Sequence, residues 1–167
     1  LHLTAEQERA VRTAATSPLT VVSGGPGTGK TSIVVAILRA AMRPGALAPS
    51  SIALAAPTGK AADRMRRAVD GALAAIEAPL DTDRALAEGL PPPRTLHRLL
   101  GYSPRRGAFR HHEADPLAER LVVVDESSMI DVFLMERLVA ALRPDAHLVL
   151  LGDAEQLPSV AAGAVFR

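Results

Sequence analysis

The sequence predicts an α/β fold in which a parallel sheet carries helices on both faces. Apolar runs of strand length begin near Leu19, Ser51, Leu121 and Ala146, and stretches of helical character separate them. Short runs that are apolar at nearly every position are typical of strands buried on both faces, as in parallel sheets. Strands that alternate with helices along 167 residues indicate one layered domain that is large enough for a core.

A glycine-rich loop follows the first strand. Residues 24–31 read Gly-Gly-Pro-Gly-Thr-Gly-Lys-Thr, which fits the phosphate-binding pattern G-x-x-x-x-G-K-[ST]. The glycines let backbone N–H groups approach an anion closely, and the helix that follows directs its positive dipole end to the same place. A bare turn is the alternative, but a turn alone gives no purpose to Lys-Thr directly after the last glycine.

This loop predicts a site for ATP and Mg²⁺. The ammonium of Lys30 can reach the β- and γ-phosphates, and the hydroxyl of Thr31 can bind the metal ion. The residues expected to contact the nucleotide here are Gly25, Gly27, Thr28, Gly29, Lys30, Thr31 and Ser32.

Two carboxylates, Asp125 and Glu126, follow directly on the apolar run 121–124. A buried strand delivers them to the edge of the sheet where ligands bind. In phosphate-loop enzymes an acid at this place supports Mg²⁺, and a neighbouring glutamate can deprotonate the attacking water. A single exposed carboxylate at a strand end is common, but this pair in a chain with the phosphate loop predicts catalysis.

The loop after the second strand is a candidate contact for phosphate or nucleic acid. It contains Thr58 and Lys60, and Lys30 and Lys60 are the two lysines of the sequence. A hydroxyl, a loop N–H and an ammonium suit phosphate oxygens. The alternative is a solvated turn with a chance lysine. The following helix, expected over 61–76, carries Arg64 in its first turns.

The remaining segments give weaker signals. Thr4 and Gln7 form the pattern of a capping box for a helix that ends near residue 15. Residues 77–93 are expected to form a loop with at most one helical turn at 84–88. Residues 95–101 predict a short helix in which His97 packs and binds no metal, and residues 107–112 suggest a small hairpin.

Composition excludes several classes of function. A net charge of +1 gives no general attraction to nucleic acid, and 2% aromatic residues leave few platforms for base stacking. No apolar run approaches the roughly 20 residues of a membrane span, and the first residues do not resemble a signal peptide. The absence of cysteine fits a cytoplasmic protein. Because no membrane span is predicted, no membrane partner is expected.

Taken in order, these segments resemble the first motor domain of superfamily 1 DNA helicases, and most closely the RecD family, which includes the α subunit of exodeoxyribonuclease V. The resemblance rests on five segments: Gly-Gly-Pro-Gly-Thr-Gly-Lys-Thr at 24–31, Ala-Pro-Thr-Gly-Lys-Ala-Ala at 56–62, Thr-Leu-His-Arg-Leu-Leu-Gly at 95–101, Val-Asp-Glu-Ser-Ser-Met at 124–129 and Gly-Asp-Ala-Glu-Gln-Leu-Pro-Ser-Val at 152–160. It implies a RecA-like P-loop NTPase fold with the strand order first, fourth, third, second.

The resemblance also implies roles for individual residues. Lys30 and Glu126 are catalytic, Asp125 and Thr31 support Mg²⁺, and Gln156 couples the state of the γ-phosphate to movement. Gln7 matches a glutamine that reads adenine, although its capping role is an equally good explanation. The positions that match the track of single-stranded DNA are Thr58, Lys60, Arg64, Thr95, His97 and Arg98.

Residues 1–167 are expected to form the first motor domain of a longer protein. The second motor domain of such helicases, with the arginines that reach into the ATP cleft, has no counterpart in these residues. The resemblance further implies helicase–nuclease subunits as partners and 5′ to 3′ movement. Two alternatives stay open: another phosphate-loop ATPase without unwinding activity, and a scaffold that binds a nucleotide only as a structural ligand.

Overall fold

A computed structural model describes residues 3–25, 27–43 and 47–153 of the chain. The helices of the described part are α1 (Ala5–Thr16), α2 (Lys30–Ala41), α3 (Gly59–Ala74), α4 (Asp81–Gly89), α5 (Leu96–Leu99) and α6 (Val132–Ala140). The strands are β1 (Leu19–Ser23), β2 (Ile52–Ala56), β3 (Arg94–Thr95), β4 (Leu121–Val124) and β5 (His147–Gly152). Single turns of 3₁₀-helix cover Pro49–Ser51 and Ser127–Met129.

The five strands form one parallel sheet in the order β1-β5-β4-β2-β3. Strand β5 lies between the two strands that carry the chemical motifs, because Leu150 pairs with Val21 on one side and with Val124 on the other. The predicted order of the four main strands is therefore confirmed. The two-residue strand β3 at the edge was not predicted, since so short a segment has no periodicity of its own.

Helices cover both faces of the sheet, as the apolar strands predict. Along β4, Leu121 and Val123 pack against the core under α1, α2, α3 and α4, whereas Val122 and Val124 pack against the core under α5 and α6. Both sets of side chains are buried because successive residues of a strand point to opposite faces. The loops that carry the motifs follow the carboxyl ends of these buried strands.

The capping box of α1 is confirmed. The backbone N–H of Thr4 donates to the Gln7 side chain at 3.0 Å, and the Gln7 N–H donates to the Thr4 hydroxyl at 3.3 Å. Short helix α5 is likewise capped, by Thr95, which accepts a hydrogen bond from the Arg98 N–H.

The expectation of a loop with one helical turn over 77–93 was wrong in extent, because α4 is a helix of nine residues. Its first turn is held by the carboxylate of Asp83, which accepts a hydrogen bond from the Leu80 N–H at 2.9 Å and pairs with Arg39 of α2. Leu86 is fully buried beneath the helix. Contacts with distant residues therefore fix a helix that local propensity alone left undecided.

The prediction of a hairpin at 107–112 was also wrong. Two tight turns stand in its place, each closed by one antiparallel bridge, between Ser103 and Ala108 and between His112 and Asp115. Gly107 has φ of +60° in the first turn, a conformation that glycine adopts without steric cost. Each turn therefore has one bridge in place of a ladder of paired strands.

Candidate nucleotide-binding site

A pocket of about 460 Å³ lies at the carboxyl edge of the sheet, between α2 and α3. The phosphate-binding loop and the start of α2 form one side of the pocket, and the carboxylate pair after β4 forms its floor. The other side is a face of α3 that includes Arg64, Met65, Ala68 and Val69. The pocket therefore joins the two motifs that the sequence analysis placed at this edge.

The backbone of the loop is held open by glycines and by anchors to neighbouring elements. Gly27 and Gly29 both have φ of +80°, where a side chain would be strained. The Gly24 N–H donates to the Gly152 carbonyl at 3.0 Å, so the start of the loop is fixed to β5. The Thr28 hydroxyl donates to the Gly25 carbonyl at 2.8 Å and closes the loop on itself.

Lys30 lies in the first turn of α2, and its ammonium donates to the Gly24 carbonyl at 2.7 Å. The side chain therefore folds back over the loop, and its charge lies where a bound phosphate would interact with the loop N–H groups. Thr31 also lines the pocket, and Ser32 follows it in the same turn.

The donor set of the pocket fits Mg²⁺ bound together with a nucleotide. Thr31 offers a hydroxyl and Asp125 a carboxylate, and hard cations prefer oxygen ligands. The described residues contain no cluster of three or more His, Cys, Asp or Glu that could hold a metal ion. Mg²⁺ in phosphate sites takes only one or two protein ligands, so the two oxygens are sufficient on the protein side.

The two carboxylates have different surroundings. The Asp125 N–H donates to the Ala55 carbonyl at 2.9 Å, so the β2–β4 pairing extends to this residue, and its carboxylate accepts the Glu126 N–H at 2.9 Å. Glu126 is 8% exposed and has φ of +54°. It is the one non-glycine residue with positive φ in the described ranges, and this conformation costs roughly 1–3 kcal/mol. Such strain is typical of functional sites.

The carboxylate of Glu126 forms an ion pair and a hydrogen bond with the guanidinium of Arg64. The sequence analysis expected Arg64 on a DNA track beside the nucleotide cleft, and the structure brings it to the wall of the cleft itself. A signal for this position was present in the sequence. Arg64 and Ala68 are spaced i, i+4 beside the apolar residues Met65 and Val69, so helical periodicity turns this face toward the pocket.

Gln7 touches the phosphate-binding loop from α1. Its side-chain nitrogen donates to the Thr28 carbonyl at 3.1 Å while its oxygen caps the helix. A Cβ atom on Gly29 would lie 2.5 Å from the same nitrogen, so a side chain there would displace the Gln7 amide from this contact. Gln156, expected to act at this site, lies outside the described residues.

The remaining predicted contacts lie along the same edge of the sheet. Thr58 caps α3 by accepting the Ala61 N–H at 3.2 Å, and Lys60 is exposed in the first turn. Thr95 pairs with Ala56 across the β2–β3 ladder, which brings its segment beside the one that carries Thr58. The structure thus groups these residues on neighbouring strand ends, although 37 positions separate Thr58 and Thr95 in the sequence.

His97 and Arg98 lie on α5, next to this group, and are exposed. The His97 ring packs against the rings of Tyr102 and Phe109, with centroid distances of 5.5 and 5.8 Å. The packing role expected for this histidine is therefore observed. The small aromatic cluster itself was not predicted, because turns in the chain bring its members together.

The parallel strand order and the phosphate loop facing a paired Asp-Glu define a RecA-like P-loop NTPase domain. The chain belongs to the AAA domain family, whose model matches residues 7–162. It is 48% identical over 164 residues to the RecBCD enzyme subunit RecD of Mycolicibacterium smegmatis, covering 96% of this chain and 29% of that protein. It is 38% identical to the ATP-dependent RecD2 DNA helicase of Deinococcus radiodurans, covering 96% of this chain and 19% of that protein.

The resemblance to the RecD family is thus confirmed, and the chain spans less than a third of these two relatives. The fold is also that of the Pif1 helicase from Candida albicans, with a TM-score of 0.60 and 23% identity over 96% of this chain and 34% of that one. Among the described residues, no helix is both long and apolar enough to cross a membrane.

Proposed function

We propose that this domain binds and hydrolyses ATP as the first of two motor domains in a RecD-type DNA helicase. The observation that carries the proposal is the pocket in which Lys30 and the phosphate-binding loop face the carboxylates of Asp125 and Glu126. A site that only stores a nucleotide needs no buried glutamate opposite its phosphates. The sequence similarity to RecD proteins supports the same activity class.

Binding is assigned to the loop and to the start of α2. Backbone N–H groups of the loop would hold the phosphate oxygens, and Lys30 would exchange the Gly24 carbonyl for the β- and γ-phosphates. Thr31 and Asp125 would hold Mg²⁺, which when bound neutralises charge on the phosphate oxygens. Gln7 would read the adenine edge with the second N–H and the oxygen of its amide.

Hydrolysis is assigned to Glu126 as the general base. The water oxygen adds to the γ-phosphorus, the bond to the ADP oxygen breaks, and the carboxylate accepts the proton of the water. Burial of Glu126 keeps bulk water from competing for the carboxylate. Gln156 is assigned to sensing the γ-phosphate, as the family resemblance implies.

Movement on DNA requires further parts. Residues 1–167 would form the first motor domain, and a second motor domain would supply the arginines that stabilise the transition state. Loss of such arginines lowers rates by about 10³–10⁵-fold in comparable enzymes. Thr58, Lys60, Thr95, His97 and Arg98 would contact single-stranded DNA, and helicase–nuclease subunits would be partners. A cytoplasmic location belongs to this proposal.

Steady-state hydrolysis of ATP by the full-length protein, with and without single-stranded DNA, tests the proposal. We expect turnover that rises with DNA, and loss of turnover in the Glu126→Gln variant. Tight ATP binding without turnover in the presence of DNA would contradict it and favour a nucleotide-binding scaffold. A turnover rate that is the same with and without DNA would favour another phosphate-loop ATPase.

A further inference from the structure

The proposed general base has one of its carboxylate oxygens engaged by an arginine in this structure. The carboxylate of Glu126 is hydrogen-bonded to the guanidinium of Arg64, which lies on α3, 62 positions earlier in the sequence. A carboxylate that accepts a charge-assisted hydrogen bond is a poorer acceptor for a water proton, because the same lone pairs are engaged. Release of this contact would therefore make Glu126 a better acceptor for the proton of the attacking water.

The two side chains of the pair differ in exposure. The Glu126 side chain is 10% exposed, whereas the Arg64 side chain is 64% exposed. The guanidinium thus lies at the mouth of the pocket, with the carboxylate beneath it. An anion that arrives from solvent reaches Arg64 without entering the pocket.

Arg64 also lies next to the proposed DNA contact on α3. Lys60 and Arg64 are spaced i, i+4 in the helix, so their Cβ atoms are about 5–6 Å apart on one face. Two cations at this spacing repel each other, and a phosphate between them would relieve the repulsion. The carboxylate of Glu126 compensates the charge of Arg64 when no such phosphate is bound.

We propose that Arg64 exchanges partners, holding Glu126 in the absence of DNA and binding a phosphate of single-stranded DNA when the strand lies on Lys60. The exchange releases the carboxylate for the attacking water and so couples DNA binding to hydrolysis. This inference rests on the proposed function and assigns Arg64 as a positioning residue. It also accounts for a residue of the expected DNA track being found at the nucleotide pocket.

The test compares Arg64→Ala with the parent in the full-length protein. Without DNA, we expect kcat to rise about tenfold with KM for ATP unchanged, the scale of one lost charge-assisted hydrogen bond. The stimulation by single-stranded DNA should fall by the same factor. The salt slope of DNA binding should become shallower by roughly 0.7, as for one lost phosphate contact.

Two variants serve as controls. Arg67→Ala removes the same charge from an exposed site on the same helix and should leave kcat and its stimulation by DNA unchanged. Arg64→Lys retains a cation and should keep most of the stimulation. An unchanged stimulation factor in Arg64→Ala overturns the inference. Loss of turnover in Arg64→Ala both with and without DNA also overturns it, since Arg64 would then act on the nucleotide.

Comparison of the parent with Arg64→Ala distinguishes failure of this inference from failure of the proposed function. Stimulation of the parent by single-stranded DNA that persists unchanged in Arg64→Ala overturns the partner exchange but leaves the proposed function standing. Hydrolysis by the parent that is equal with and without DNA contradicts the proposed helicase motor as well. Absence of hydrolysis under both conditions overturns both.

Discussion

The side-chain nitrogen of Gln7 donates a hydrogen bond to the carbonyl of Thr28 at 3.1 Å and so joins α1 to the phosphate-binding loop. The oxygen of the same amide accepts the Thr4 N–H at 3.0 Å. Both ends of the side chain are therefore engaged. The amide nitrogen keeps a second N–H and the amide oxygen keeps a second lone pair, and these are the groups that Gln7 can offer to adenine.

The variant Gln7→Glu separates the two roles of this residue. Glutamate keeps an acceptor for the Thr4 N–H, so the cap of α1 should persist, but a carboxylate cannot donate to Thr28 or to adenine. If Gln7 reads the base, ATP affinity and the preference for ATP over GTP should both fall about tenfold. Nucleotide titration by calorimetry measures both quantities.

Gln7→Ala provides the matched control. It removes the half of the capping box that the Gln7 side chain supplies, while the N–H of residue 7 can still donate to the Thr4 hydroxyl, so helix stability should fall by about 0.5–1.5 kcal/mol in addition to any loss of nucleotide affinity. Parental ATP affinity and base preference in Gln7→Glu would leave this residue as a capping residue only.

The variants Glu126→Gln and Lys30→Ala should fail at different steps. Glutamine retains the shape of the side chain but cannot accept the water proton, so hydrolysis should drop by ~10²-fold or more while ATP·Mg²⁺ binding persists. Alanine at position 30 removes the charge that lies over the loop and should weaken nucleotide binding itself. Single-turnover hydrolysis and equilibrium titration distinguish the two. Parental turnover in Glu126→Gln would show that the base is another group.

Local patterns predicted the parts of this fold that depend on neighbours in sequence. A few consecutive residues are enough to recognise the phosphate loop, the capping box of α1 and the apolar run before Asp125. The strand order came from the resemblance to RecA-like motors. No such pattern exists for contacts between distant residues.

The Arg64–Glu126 pair joins positions 62 apart, and the α4 helix depends on a contact between Asp83 and Arg39, 44 positions apart. Nothing within α4 itself indicates that one of its two early aspartates is buried. The prediction therefore made α4 too short and missed the Arg64–Glu126 contact, because both depend on residues that only the folded chain brings together.

Asp83 should be essential for the order of α4. Its side chain is 2% exposed, pairs with the guanidinium of Arg39 at 2.8 Å and caps the Leu80 N–H. Because the Arg39 side chain is 29% exposed, part of the pair is screened by solvent, and we expect Asp83→Ala to cost about 2 kcal/mol. Hydrogen exchange of residues 81–89 in the full-length protein should accelerate accordingly.

Asp81→Ala is the matched control for this variant. Asp81 lies in the same turn and pairs with Arg84, but its side chain is fully exposed. Exposed pairs contribute little, so its exchange rates should stay close to those of the parent. Equal effects of the two substitutions would mean that helix propensity, and not the buried pair, holds α4.

Thr58 and Lys60 are exposed at the start of α3, and Thr95 is partly exposed at the start of α5. The net charge of +1 provides no general attraction, so affinity for DNA must come from a few local contacts. Thr58 and Thr95 already accept one backbone hydrogen bond each, but their hydroxyls can still donate to phosphate, and Lys60 adds an ammonium.

Two or three phosphates neutralised on a single strand should give a slope of log K against log salt of about −1.5 to −2. Lys60→Ala should make this slope shallower by roughly 0.7, because one phosphate contact is lost. ATP affinity should stay nearly unchanged, since Lys60 is exposed and does not line the nucleotide pocket. Titrations with a fluorescent oligonucleotide at several salt concentrations, and with ATP, measure both quantities. An unchanged slope, or a large loss of ATP binding, would remove Lys60 from the DNA contact and assign it to the nucleotide site.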